Sequence, residues 1–177
     1  MKKSLLLASV AMLFAGVVNA GQLTPYVGFD YVNMAPNVAD SLPENYDIGN
    51  INAGLRYEGA GALEVFAERS MREKSNNGNN VTRGRLYGYG ADLLINGYDF
   101  SQASILGSVG YGRFTTKMRD QGGTRDETGN SLRFGVGGEI NPTLNWGFRA
   151  MFRYSFSDSD AYKNAKEFSL GARYYFY

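Results

Sequence analysis

The chain contains no cysteine and no histidine. The first absence excludes a disulfide framework, a zinc–thiolate site and an iron–sulfur cluster. The second excludes a histidine-based triad, a histidine-ligated metal and an imidazole general base. Charged residues are scarce, at 20% with a formal net charge of +1, so the basic stripe of a nucleic-acid binder is missing. Proline is scarce too, with 4 residues, whereas glycine reaches 23 and aromatics 14% of the 177 residues. That balance points to one domain of β structure rather than to disorder. Beyond residue 20 no run of about 18 apolar residues occurs, so no spanning helix is expected there.

The first twenty residues form an address. Lys2 and Lys3 precede an almost wholly apolar stretch from Leu5 to Val18, and Val18-Asn19-Ala20 offers a cleavage site. Residues 1–20 are therefore expected to be a secretory signal peptide, and 21–177 the working domain. No cysteine follows the cut, which excludes a lipid-anchored lipoprotein. Removing residues 1–20 leaves 157 residues, with 16 basic against 17 acidic side chains and a net charge of −1.

The working domain alternates with period two nearly throughout. The apolar stripes include Pro25-x-Val27-x-Phe29-x-Tyr31, Trp146 to Phe156 and Phe168 to Phe176 on alternate residues, and eight such segments can be counted. Eight segments in 157 residues leave about 20 residues for each strand and its connection, enough for a membrane strand of about 9–11 residues. Short turns are expected at Glu58-Gly-Ala-Gly, Ile95-Asn-Gly-Tyr-Asp and Asn141-Pro-Thr-Leu-Asn. Longer polar loops are expected over Met34–Asn45, Arg72–Val81, Lys117–Gly129 and Ser157–Ala165. This asymmetry is that of an all-β, eight-stranded, antiparallel up-and-down transmembrane barrel. Alternation alone would suit a soluble eight-stranded barrel equally well. Three features favour lipid outside. Lys74, Lys117, Lys163 and Lys166 all lie in or beside the long loops; a girdle of Tyr31, Tyr57, Tyr111, Trp146, Tyr154 and Phe176 flanks the apolar stripes; and the last strand is aromatic.

The opposite face then points inwards. It carries Arg56, Arg133, Arg149, Arg153 and Arg173 against Asp30, Glu64, Glu68, Asp92, Glu139 and Glu167, without one lysine. Charges inside so narrow a barrel must be paired, and the planar fork of arginine suits a carboxylate. A packed ionic plug is expected, the alternative being a small or gated pore lined by the same groups. Glycines of the same parity, among them Gly110, Gly135 and Gly171, leave room for the arginines. No catalytic residue, metal site or cofactor is expected: Glu64 and Glu68 read as ion-pair partners, and no G-x-S-x-G or Walker A sequence occurs. Arg69, Arg83, Arg85 and Arg113 share the outward parity at the loop ends. They are candidates for a basic collar on lipopolysaccharide phosphates, unless the strands simply continue into water.

Gly107-Ser-Val-Gly-Tyr-Gly-Arg-Phe, Phe134-Gly-Val-Gly-Gly-Glu-Ile-Asn-Pro and Trp146-Gly-Phe-Arg-Ala-Met-Phe-Arg-Tyr resemble consecutive strands of small bacterial outer-membrane barrels of the OmpX/Ail type and the OmpA transmembrane domain. Ser169-Leu-Gly-Ala-Arg-Tyr-Tyr-Phe is similar to their C-terminal strand. The resemblance implies an outer-membrane location, no catalysis, and a role in adhesion, complement resistance or envelope integrity. Its implied partners are outer-membrane lipid and lipopolysaccharide, the barrel-assembly machinery, and a host or cell-surface ligand met by the loops or by protruding strand edges. The protein is expected to be a monomer. Phe176 and Tyr177 are the candidate assembly signal, because the chain runs one residue past the usual terminal phenylalanine.

Overall fold

The computed structural model describes residues 23–38, 45–71, 73–77, 80–120, 123–159 and 162–177. The expected signal peptide, residues 1–20, lies outside them. The strands are β1 Leu23–Val38, β2 Tyr46–Tyr57, β3 Gly61–Ser70, β4 Glu73–Asn77, β5 Asn80–Phe100, β6 Ala103–Asp120, β7 Gly123–Ile140, β8 Trp146–Ser157 and β9 Tyr162–Tyr175. Apart from β3 and β4, which do not pair with each other, each pairs antiparallel with its chain neighbours, and β1 pairs with β9, which closes the sheet. Both β3 and β4 pair with β5, so β4 prolongs β3 and the barrel has eight staves.

The register fixes the shape. Stepping from partner to partner, Val27 leads through Ala53, Val65, Ala91, Tyr111, Leu132, Phe156 and Asn164 back to β1 at Asn37. One circuit thus climbs from 27 to 37, a shear of ten residues. With eight strands about 4.8 Å apart and a rise of about 3.3 Å per residue, this shear tilts the strands by about 40° and leaves a backbone radius of about 8 Å. Such a tube holds side chains and little else.

Alternation is strict. In β1 the odd residues from Leu23 to Tyr31 are exposed, while Thr24, Tyr26, Asp30 and Val32 are buried. The exposed class forms the apolar band, including Phe29, Ile51, Val65, Val136, Phe152 and Leu170. A band of such width facing water would cost far more than a soluble fold tolerates; facing lipid it costs nothing.

Two local expectations need correction. Ile95–Asp99 is not a turn. The ladder passes from Asn96↔Leu106 to Tyr98↔Ile105, leaving Gly97 as a bulge, and the reversal comes at Ser101 and Gln102, where Ser101 takes a φ of 51°. The Asn-Gly pair that usually marks a hairpin here marks an extra strand residue. The polar stretches taken as long loops are also largely ladder: Met34–Val38 pairs with β9, Glu73–Asn77 with β5, and Lys117–Asp120 with β7. Beyond the membrane band the outward residues turn polar or small, so only inward ones such as Met34, Pro36 and Met118 stay apolar and the segment reads as a loop. The four lysines accordingly lie on strand extensions.

Candidate functional site

The lumen is layered. Its middle is ionic. Arg133 on β7 grips Asp92 on β5 with two bonds, Nε to Oδ1 at 2.9 Å and Nη2 to Oδ2 at 2.6 Å. Arg173 on β9 grips Asp30 on β1 in the same way, at 2.8 and 2.7 Å. Arg149 donates to Glu64 Oε2 at 2.6 Å, and the Tyr26 hydroxyl donates to the same oxygen at 2.9 Å. Arg153 donates to Ser169 Oγ at 3.1 Å and lies 3.9 Å from Asp92. Nearer the turns, Arg56 lies 3.4 Å from Glu139, which also accepts from the Tyr175 hydroxyl. The structure therefore places Arg56, Glu64, Glu68, Asp92, Arg133, Glu139, Arg149, Arg153 and Arg173 inside, together with Asp30 and Glu167.

Three details show how tightly this layer is built. Arg133 Nη1 lies 3.7 Å from Glu68 and 3.6 Å from Glu167, so one guanidinium faces three carboxylates. Its plane also covers the Phe66 ring at 3.7 Å. Two carboxylates lie flat along the wall over a glycine. A Cβ at Gly110 would stand 1.7 Å from Asp92 Oδ1, and one at Gly171 1.8 Å from Asp30 Oδ1.

The ends of the lumen are apolar, which the sequence reading did not anticipate. Towards the loops, Val32, Met34, Tyr46, Ile48, Phe66, Leu86, Phe114, Tyr162 and Ala165 pack together. Towards the turns, Tyr26, Ala62, Leu94, Leu106, Met151 and Tyr175 do so. The signal was present in the inward parity class, which becomes apolar at Val32, Met34, Ile48 and Leu86. Beside Arg56, Glu139 and Arg149 a cavity of about 10 Å³ remains, room for about one water. Two apolar clusters thus flank the central ionic layer.

The outer surface carries a second cluster. The Arg69 guanidinium lies 5.4 Å over the Tyr87 ring, Arg85 Nη1 donates to the Tyr87 hydroxyl at 3.2 Å, and Lys117 Nζ lies 6.0 Å from the same ring. This donated bond, first of all, holds the Tyr87 phenol below its ordinary pKa. Arg113 stands on the next row, opposite Tyr89 on β5 and Asn130 on β7. Arg83 occupies the row of Lys74 and Arg119 in the register. All these positions fall on β3 to β6, so the cluster is a patch on one wall and not a collar.

The girdle residues are displayed. Tyr111 and Trp146 are exposed, Tyr57 and Tyr154 are half-buried, and Tyr31 donates to Asp47. That bond, with one from Asn33, holds the Asp47 carboxyl below the usual carboxylate range. Tyr98 and Phe100, kept outward by the Gly97 bulge, join the turn-side girdle with rings 4.5 Å apart. Trp146, Tyr174 and Phe176 form an edge-to-face chain on the outer wall, whereas Tyr177 meets, at a tilt, the ring of Tyr175, which faces inwards.

Comparison with known proteins agrees with this architecture. No curated protein sequence matches the chain. Among solved structures, Neisserial surface protein A aligns with a TM-score of 0.69 and 17% identity over 89% of this chain and 100% of that one. Ail, the attachment invasion locus protein of Yersinia pestis, aligns at 0.60 and 19% over the same shares. The N-terminal β-barrel domain of Pseudomonas aeruginosa OprF aligns at 0.54 and 13%, again over 89% and 100%. At these identities the likeness concerns the fold. The family model of the outer membrane protein beta-barrel domain matches residues 5–176, and the chain belongs to that family.

Proposed function

We propose that this outer-membrane barrel is a non-enzymatic surface protein, closed to solutes, whose strand ends and loops outside the cell serve adhesion to host or neighbouring surfaces and the integrity of the envelope. The sealed lumen carries this reading. Its carboxylates lie against guanidinium groups and its two ends are apolar, so chemistry and transport are both left without a path. What remains is the outer surface. The patch of Arg69, Arg85 and Arg113, with Arg83 on the row above, suits the phosphates of lipopolysaccharide, since guanidinium forks bind phosphate oxygens in pairs. Export would follow from residues 1–20. Recognition by the assembly machinery would fall to Phe176, which continues the outward chain of Trp146 and Tyr174, rather than to Tyr177. Within its own membrane the barrel would be a monomer.

Planar-bilayer recording tests the closed lumen. A flat trace is expected, and reproducible conductance steps would overturn the plug in favour of a small or gated pore. Neutralising Arg69, Arg83, Arg85 and Arg113 together should reduce the lipopolysaccharide that co-purifies. An unchanged amount would remove the lipid contact from the proposal.

A further inference from the structure

Strand β7 outlasts its neighbour. Its pairing with β8 begins only at Ser131↔Ser157, whereas its pairing with β6 continues to Asp120↔Gly123. Over residues 123–129 no described strand pairs with its other edge. The Asn130 amide donates to Asp158 Oδ1, and the Asp158 amide donates to the Asn130 carbonyl at 3.0 Å. Both main-chain groups of Asn130 therefore point to the β8 side. Main-chain direction alternates along an uninterrupted strand, so those of Thr128, Asp126 and Thr124 point the same way, away from β6 and past Asp158 and Ser159, which border this edge. These three residues carry the donors and acceptors of a ladder that no described strand completes.

The side chains along this edge decide what can use it. Charged edges ordinarily discourage pairing. Here the order Thr124-Arg125-Asp126-Glu127-Thr128 is complementary to itself. Let a second copy of β7 lie antiparallel, centred on Asp126. Thr124 then faces Thr128 of the other copy, and Arg125 faces Glu127, each twice. The hydrogen-bonded pairs of that arrangement are the even residues, which are the ones with free main-chain groups. The odd pairs are the close ones: Arg125 and Glu127, which lie 2.9 Å apart within one copy, would meet their counterparts and form a four-charge cluster. Asp126 faces its own copy, but each carboxylate is held by its own Lys117 at 3.2 Å.

We infer that the β7 edge over residues 124–128 is a self-association surface, and that its partner is β7 of a second copy of this protein in a facing membrane. The opposing orientation follows from symmetry. Two antiparallel strands in one sheet are related by a two-fold axis perpendicular to that sheet. The barrel wall stands upright in its membrane, so the axis lies in the membrane plane and turns the second barrel upside down. Asp126 lies six residues beyond Leu132, the last apolar residue of the β7 stripe, about 15 Å above the band at the observed tilt. The two apolar bands would stand about 30 Å apart. The inference rests on the reading above that the loop end faces outside the cell, and it makes adhesion partly homotypic.

Single full-length barrels in phospholipid nanodiscs test it, with donor dye on one disc population and acceptor dye on another. Wild-type discs should bridge. Discs with Arg125→Glu, or with Glu127→Arg, should each bridge about tenfold more weakly, because both close pairs become like-charged. A mixture of Arg125→Glu discs with Glu127→Arg discs should bridge as wild type does, since every pair is again opposite. Asp126→Pro, which removes an edge donor and leaves the β6 ladder intact, should abolish bridging. Heat-modifiable migration confirms that each variant is folded. Wild-type bridging by either charge variant alone, or a mixture no better than its components, would overturn the inference. A single thiol at Thr124→Cys, in a chain that has no other cysteine, separates the two levels when a membrane-impermeant maleimide is added to intact cells. Labelling without bridging between discs refutes the pairing alone, whereas no labelling refutes the outward orientation as well.

Discussion

Two amide substitutions in the lumen should behave in opposite ways. Six carboxylates face five guanidinium groups there, so one negative charge is in surplus. Asp92 is not the surplus one. It accepts both bonds of the Arg133 fork, at 2.9 and 2.6 Å, and the side chains are 0% and 2% exposed. Asp92→Asn keeps the volume but removes one acceptor and the charge, and breaking one partner of a buried pair costs about 3–5 kcal/mol. Glu68 and Glu167, at 3.7 and 3.6 Å from Arg133, can move in, so the lower end of about 3 kcal/mol is expected. Glu68 itself holds only the longer contact and accepts from the Asn50 amide at 2.9 Å. Glu68→Gln therefore brings the charges to balance and should cost less than about 1 kcal/mol. The assay is urea unfolding from liposomes, followed by fluorescence of Trp146, the one tryptophan, which sits on the lipid-facing wall. At a typical denaturant slope, Asp92→Asn should lower the midpoint by about 1–2 M and Glu68→Gln should leave it nearly in place. Equal shifts, or the reverse order, would refute the assignment of the fork as the dominant pair.

Gly110→Ala should destabilise by about 1–3 kcal/mol in the same assay, since its methyl would stand 1.7 Å from Asp92 Oδ1, while Gly107→Ala, which meets nothing within 4 Å, should be neutral. Truncating Phe114 and Leu86 to alanine opens the loop-side seal, yet bilayer recordings should stay silent because the ionic layer still fills the tube; conductance would show that the seal, not the ions, blocks passage. Asp158 accepts from the Asn130 side chain and amide, and these bonds hold its carboxyl below the usual carboxylate range. Its latch on β7 should therefore be whole above the ordinary carboxylate range and be lost as pH falls through the depressed value, seen as faster hydrogen exchange at residue 130; exchange that keeps its intrinsic pH dependence would remove the latch.

The barrel was legible because a membrane strand states its orientation twice, once in each parity class. Phe29 and Asp30, adjacent in the chain, go to opposite faces, and the same division repeats along every stave. Legibility failed where one class lost its contrast. Lys117 to Asp120 and Glu73 to Asn77 are strand, but the first holds a single apolar residue, Met118, and the second holds none, so their sequence shows no stripe. It failed again at Gly97, because a bulge depends on the neighbouring strand's register and not on local chemistry. The inward charged set was visible as a class, but not its pairing. Arg149 reaches Glu64 across 85 residues and Arg173 reaches Asp30 across 143, distances that only the closed sheet makes short.

The ionic layer has a role that a soluble core would not give it. In water, burial itself distinguishes inside from outside. In lipid an apolar side chain is equally comfortable on either face of the wall, so apolar residues at the ends of this lumen carry little information about orientation. The charged class does. A slip of one residue in any strand would exchange its faces. On β8 it would place Arg149 and Arg153 in hydrocarbon, at about 2–4 kcal/mol each near the midplane, and leave Glu64 and Asp92 with a partner missing. Buried ion pairs often add little net stability over a well-packed apolar core. What they add here is a penalty on every wrong register. The bidentate forks of Arg133 and Arg173, each spanning from one stave to a distant part of the sequence, tie that penalty to the closure of the whole barrel. A tube made specific in this way is filled by the very groups that fix its register.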